Sequence, residues 1–233
     1  MLQARRMGPI ALLLILLVTI NFMGGLGRAQ ASSGQERIAD GAKVLKEMQM
    51  QSDVQMLLEL LQRAEGVAIF PSVVKAGLML GGQYGEGLVM RYDAGTKTWY
   101  GPSFVTLKGV SYGMQFGLQS TALVLVITNE QGMDSFLRGD KVTLGGDLSV
   151  AAGPLGRRAS LGTDLDLKAS IYSYSLSKGI FAGISLDGSA ITVDEELNDE
   201  FWGEALTAKE ILSTKTTPTA QPLIAELETM LNQ

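Results

Sequence analysis

Few side chains in this sequence can do covalent chemistry. It contains no cysteine and no histidine, which removes thiol and imidazole nucleophiles and bases, Cys/His zinc sites and any disulfide framework. Carboxylate, Lys, Tyr and Ser chemistry remains. Asp164 and Asp166 stand two apart in an alternating stretch and share a strand face, where paired carboxylates can ligate a hard cation or act as acid and base. Lys168 follows on the same face and offers a local partner, as on an ordinary solvated strand. Ser177 and Lys178 are adjacent, and strand neighbours point to opposite faces, so a Ser/Lys hydrolytic pair lacks its geometry. Tyr172 and Tyr174 share a face, either to stack on a ligand or to pack beside a sheet.

The stretch GGDLSVAAGPLGRRASLGTD, residues 145–164, carries five glycines, a Gly-Pro and the pair Arg157-Arg158. A phosphate-cradling loop follows a buried parallel strand and opens a helix with fixed glycine spacing. Gly153-Pro154-Leu155-Gly156-Arg157-Arg158 has neither nucleotide-binding spacing and lies between two alternating runs, 142–150 and 164–176. It reads as a strand-to-strand turn with two guanidinium groups near its tip. That tip is either a solvated turn or an anion site in which the backbone N–H groups of Gly153 and Gly156 assist Arg157 and Arg158. Lys75, in FPSVVKAG, and Lys178, in SLSKGIF, are further basic candidates, or ordinary strand-end lysines.

The elements that must position these residues fall into two kinds. Ile38, Ala42, Leu45 and Met48 form an apolar stripe at helical spacing within 36–50, among three acidic and three basic residues. A second helix is expected from Ser52, with Gln55 as capping partner, Val54, Leu57, Leu58 and Leu61 buried, and Gly66 as its stop. Asn198 is expected to cap a helix carrying Phe201, Trp202, Leu206, Ile211 and Leu212, followed by a linker at 214–222 and a short amphipathic helix, 223–231. Between these ends the period becomes two. Even-numbered residues of 110–118 and 142–150 are expected to face a core, as are Leu165, Leu167, Ala169 and Ile171, and then Ile180, Ala182, Ile184 and Leu186. TALVLVIT, 121–128, is continuously apolar and belongs at the centre, covered on both faces. Turns are expected at 93–95, 129–132 and 187–188, and a short helical turn at 133–137.

The fold class that follows is α+β: a β-rich single domain whose antiparallel, strongly curved sheet, a partly closed barrel or sandwich over roughly 66–194, is flanked by N- and C-terminal helices. Glycines inside the strand patterns serve the bends of such a sheet or line a ligand channel.

Residues 1–31 read as a cleaved export signal: Arg5 and Arg6, the apolar core 10–20, and Ala29-Gln30-Ala31 as the cleavage pattern. Periplasmic or cell-envelope placement is the expectation, with the domain proper at 32–213 and the linker and helix at 214–233. Cleavage removes three arginines and no acid, taking the formal charge from −5 to −8. An acidic protein is a poor nucleic-acid binder, and attraction to an anionic membrane needs a local basic patch.

Five segments, 64–93, 99–104, 113–136, 142–157 and 172–189, resemble the SYLF lipid-binding domain family in content and order, including the Ala-Gly-Pro-Leu-Gly-Arg turn and the stretch KGIFAG. The likeness runs from about Arg37 to Leu212. It implies binding without catalysis, cofactor or metal, and an anionic phospholipid or membrane surface as partner; exported bacterial members of the family are envelope proteins. Eukaryotic relatives bind phosphoinositide-containing membranes and some bind actin, which an exported protein would not meet. A basic amphipathic N-terminal helix contributes in membrane-binding members, whereas helix 36–50 here is charge-balanced. The alternative is a structural or protein-interaction domain of the envelope without specific lipid binding.

Overall fold

The computed structural model describes residues 32–52, 54–153, 169–177, 180–181 and 186–233, with the side chains of 77–80, 111–118, 180 and 181 left aside. The expected export signal, the Gly156-Arg157-Arg158 tip, Asp164, Asp166, Lys168 and Lys178 lie outside the described residues. Residues 33–233 form one compact unit.

Helix α1 spans Gly34–Gln49, and its start is fixed by a capping box: the Ser33 hydroxyl accepts from the Glu36 N–H while the Glu36 carboxylate accepts from the Ser33 N–H. Helix α2 is Gln55–Leu61, shorter than expected. Val54 stands at its N-cap position without a side-chain cap, so Ser52 does not open it, and Gly66 begins the next strand instead of ending the helix.

Strands β1, Gly66–Asp93, and β2, Thr98–Ile127, form one antiparallel hairpin closed by the turn at 94–97. The Asp93 carboxylate accepts the Gly95 and Thr96 N–H groups there. A straight strand of this length would reach roughly 90 Å, far beyond the size of a domain of about 200 residues. The hairpin therefore doubles back. Tyr92 N–H donates to the Glu65 carbonyl at 2.9 Å. A Cβ on Gly66 would lie 2.7 Å from the Met90 oxygen, and one on Gly87 2.5 Å from the Ile69 oxygen. The paired positions rise on one side as they fall on the other, so the first and last thirds of β1 run antiparallel, side by side. Gly87 is required at that approach, because any side chain would strike the facing backbone.

The register records the bend. Between Gly77↔Gly117 and Met79↔Gly113, β2 uses three residues, 114–116, against one on β1. The outer strand of a bent ribbon has the longer path, and the surplus residues supply it. Other shifts fall at Pro71-Ser72 on β1 and Gly101-Pro102 on β2, bulge positions where a proline displaces no ladder hydrogen bond.

After β2, Asn129 caps helix α3, Glu130–Leu137, with its side-chain oxygen on Gly132 N–H, so the expected turn there is the start of a helix. Among the described residues five short strands complete the sheet: β3 (Val142–Thr143), β4 (Val150–Ala152), β5 (Ile171–Ser177), β6 (Ile180–Phe181) and β7 (Ala190–Val193). β5 pairs with the last residues of β2, Ala122–Ile127, β7 pairs with Val105–Lys108 nearer its start, and β3 pairs with β7. The sheet is mixed, since β4 runs parallel to β5, Val150 opposite Ile171. The two alternating runs on either side of GPLGRR therefore pair in parallel where they are described, and the GPLGRR connection itself, beyond Gly153, lies outside the described residues. Nor is 142–150 one strand: Gly145, at φ 78°, and Asp147 turn the chain so that Leu144 bridges Leu148. Of the even-numbered positions, Val142, Leu144 and Leu148 are buried as expected, while Val150 is half-buried and Gly146 exposed.

Helices α4 (Glu195–Trp202) and α5 (Ala208–Thr214) replace the single helix expected. Gly203, left-handed at φ 72°, ends the first, and a Thr207–Glu210 capping box starts the second, leaving Leu206 between them. Asp194 caps α4; Asn198 sits inside it, fully buried, accepting from Phe104 N–H and donating to Phe104 C=O. A 3-10 turn, Pro218–Ala220, leads to α6, Gln221–Leu231.

The sheet separates two cores. One face, with Val67, Ile69, Leu88, Met90, Val124 and Val126, is covered by α1, α2 and α6. The other, with Ala68, Phe70, Val89, Leu123, Leu125 and Ile127, packs against side chains of α3, α5 and the β3 loop. Leu123–Ile127 are fully buried on both faces, as continuous hydrophobicity demands.

Candidate ligand-binding surface

Among the described residues no group of three acidic side chains could hold a metal ion, and no helix is long and apolar enough to cross a membrane. Two grooves flank α4. One, of about 430 Å³, is lined by Asp140, Glu195 and Asp199 against a single guanidinium, Arg138. The other, of about 370 Å³, is lined by Leu197, Phe201, Trp202 and Glu200. Their carboxylates disfavour an anionic ligand in either groove.

The two described members of the sequence-derived site are far apart in character. Gly153 is buried, its N–H donates to the Ser173 carbonyl at 2.8 Å, and a Cβ there would fall inside the Tyr174 ring. That N–H is committed to the sheet, and the glycine makes room for an aromatic ring. Tyr172 and Tyr174 are core residues; burial pushes the Tyr174 phenol well above its usual range. Lys75 is half-buried on β1 opposite Gln119, and burial lowers its ammonium from the usual lysine range.

Lys75 stands at one root of the bent ribbon. Lys108, exposed on β2 opposite Tyr84, stands at the other. Between these roots the chain carries no charge: residues 76–85 and 109–129 hold neither acid nor base. The nearest acid, Glu86, is occupied, for Arg37 of α1 reaches it at 3.3 Å and Asp194 at 3.0 Å. Arg37 is only 3% exposed and lies over the Phe104 ring at 5.9 Å. From sequence it counted among the charges of a balanced helix surface; the structure makes it the tie between α1, the ribbon and α4. Lys108 was missed, though the signal was present in the chain, a long acid-free run in an acidic protein.

A family model described as "Ysc84: Las17-binding protein actin regulator" matches residues 108–230, more than half of the sequence. The chain belongs to the Ysc84/SYLF family. Protein YSC84 of Saccharomyces cerevisiae is 40% identical over 173 residues, covering 72% of this chain and 36% of that protein. LAS seventeen-binding protein 3 of the same species is 38% identical over 175 residues, 73% of this chain and 38% of its own. Human SH3 domain-containing YSC84-like protein 1 is 35% identical over 159 residues, 68% and 46% of the two chains. The chain thus spans between about a third and a half of the length of these relatives. The family model thus covers β2 from Lys108 onward and the described elements that follow it as far as α6.

Proposed function

We propose that this Ysc84/SYLF domain is a non-catalytic module that binds anionic phospholipid headgroups at a membrane surface, exported by removal of residues 1–31. The observation that carries the reading is the acid-free bend of the ribbon, residues 76–85 and 109–118, with Lys75 and Lys108 at its roots, on a chain of formal charge −5. A protein of that charge is repelled by an anionic surface at long range, so a local basic patch must face the lipid. Arg157 and Arg158 are proposed as further headgroup contacts through charge-assisted hydrogen bonds.

Each cation near an anionic surface contributes on the order of 1 kcal/mol. Affinity is therefore modest and fades once the Debye length falls below about 8 Å. Co-sedimentation with phosphatidylcholine vesicles, with and without phosphatidylserine, over a salt series tests this. Binding only to the anionic vesicles, weakened about tenfold by Arg157→Ala/Arg158→Ala, is expected. Equal binding to neutral vesicles, indifferent to salt, overturns the electrostatic mechanism. The second reading, a protein-interaction domain, draws on the family description as a Las17-binding actin regulator; no binding to any vesicle would favour it. Intact mass of the protein from its native host tests the export step, which a full-length main product would overturn.

A further inference from the structure

We infer that the bend of the β1–β2 ribbon enters the membrane, with Val110 reaching the boundary between headgroups and acyl chains while Tyr84, whose hydroxyl donates to the Glu86 carboxylate at 3.0 Å, stays with Lys108 and Lys75 among the headgroups. This rests on the lipid-binding reading above and names the element that does the binding. Directly opposed residues of an antiparallel pair lie on the same face. The pairs Tyr84↔Lys108 and Gly82↔Val110 therefore set four neighbours on one face of the ribbon. That face is open: Val110 is 56% exposed, Tyr84 46%, Lys108 is exposed, and a Cβ on Gly82 would meet nothing within 4 Å. Gln83, which alternates to the other face, is buried and hydrogen-bonds Ser189. The ribbon thus has a covered side and an uncovered one, and the uncovered side carries Tyr84 and Val110, the exposed large apolar residues of the sheet among the described ones.

Position 110 was expected to face the core from its place in an alternating run; the structure turns it outward. A β-branched side chain at an open bend, beside a tyrosine and a lysine, has the order of an interfacial anchor: apolar body, amphipathic ring, cation at the edge. Sequence adds to this. The bend itself reads AGLMLGG on β1 and VSYGMQFGL on β2, apolar or uncharged throughout. Charge decides between possible occupants. Two copies meeting bend to bend would set their lysines against one another, whereas an anionic bilayer supplies both an apolar layer and a continuous sheet of phosphate.

The chain has no cysteine, so a single introduced thiol can be labelled alone. The test uses residues 32–233, which include the whole compact unit, bearing Val110→Cys coupled to a polarity-sensitive dye. Ala94→Cys, exposed at the turn on the far end of the same hairpin, is the control. Phosphatidylserine-containing vesicles are expected to shift the dye at position 110 to the blue and leave it unchanged at 94. Val110→Asp should weaken vesicle binding at least tenfold with the melting temperature preserved, and Lys108→Ala about fivefold. If wild type binds anionic vesicles but Val110→Asp binds equally and the dye does not shift, insertion is overturned and the lipid reading stands. If wild type binds no vesicle, both fall. A dye shift that instead grows with protein concentration in the absence of lipid assigns the bend to self-association and overturns insertion.

Discussion

The base of the ribbon and its bend belong to the same two paired strands, yet they have opposite surroundings. At the base, alternate residues face two different cores, and Val67–Phe70, Leu88–Met90 and Leu123–Ile127 have no exposed surface. At the bend the same strands hold Val110 and Tyr84 in the open. Strand pairing satisfies the backbone equally in both places, so hydrogen bonding does not distinguish them. What differs is cover: helices and loops close over both faces of the base and leave one face of the bend bare. An apolar residue under a helix contributes to stability. The same residue type on an uncovered face is available to a partner.

The largest effects should come from the base and its tie to α1. Arg37→Ala removes the cation that pairs with Glu86 and Asp194 and is expected to destabilise by about 3–5 kcal/mol, as removal of one partner from a buried ion pair does. Leu148→Ala, at a fully packed position, should cost about 2–5 kcal/mol. Denaturant midpoints measure both. If Arg37→Ala melted like wild type, α1 would not be tied to the ribbon through this residue.

An intermediate effect is expected at Gly153→Ala. The added carbon would overlap the Tyr174 ring, and overpacking of this kind costs about 1–3 kcal/mol. A loss of stability with vesicle affinity unchanged would mark Gly153 as a packing residue. A loss of affinity at full stability would place it in the binding surface instead.

The base was legible in the sequence and the bend was not, for a physical reason. Periodicity reports burial, and TALVLVIT is buried on both faces, so its run of apolar residues located the centre of the sheet. Period two cannot report where a ribbon turns back on itself. Val110 obeys the same alternation as Phe104 and Val124, and only the doubling of β1, at Gly66, Gly85 and Gly87, moves it outside. Likewise Asn198 has the composition of a helix cap, but its amide is used by the Phe104 backbone, a partner 94 residues away. Nor does alternation report strand direction, so the parallel pairing of β4 with β5 was not legible in the two runs that form them. For the candidate site, Lys75 was found from a local motif, whereas Lys108 required attention to where acids are missing.

Substitutions at the bend should leave stability nearly alone. Val110→Asp is exposed and breaks no ion pair, so a change within about 0.5 kcal/mol is expected. A large destabilisation would mean that this face is covered after all, and the contrast between base and bend would fail.

The smallest effect sharpens the contrast by pH. Asp147 accepts the Thr143 N–H at 2.7 Å, and that backbone hydrogen bond holds its carboxyl below the usual range. Asp93 and Glu210 are lowered in the same way by the turn and cap N–H groups they accept. A carboxyl whose folded pKa is depressed contributes stability that is present above the unfolded carboxylate range and lost as pH falls through the folded value. The melting temperature should therefore decline as pH drops below about 5, and Asp147→Asn, which keeps an acceptor but cannot ionise, should make the decline shallower. The bend, residues 76–85 and 109–118, carries no carboxylate. Val110→Cys with its dye removed should then show the acid limb of wild type unchanged, while Asp147→Asn alters it. A bend variant that moved the acid limb as far as Asp147→Asn would show that bend and base unfold through a shared set of carboxylates, and that the exposed face is energetically part of the core it adjoins.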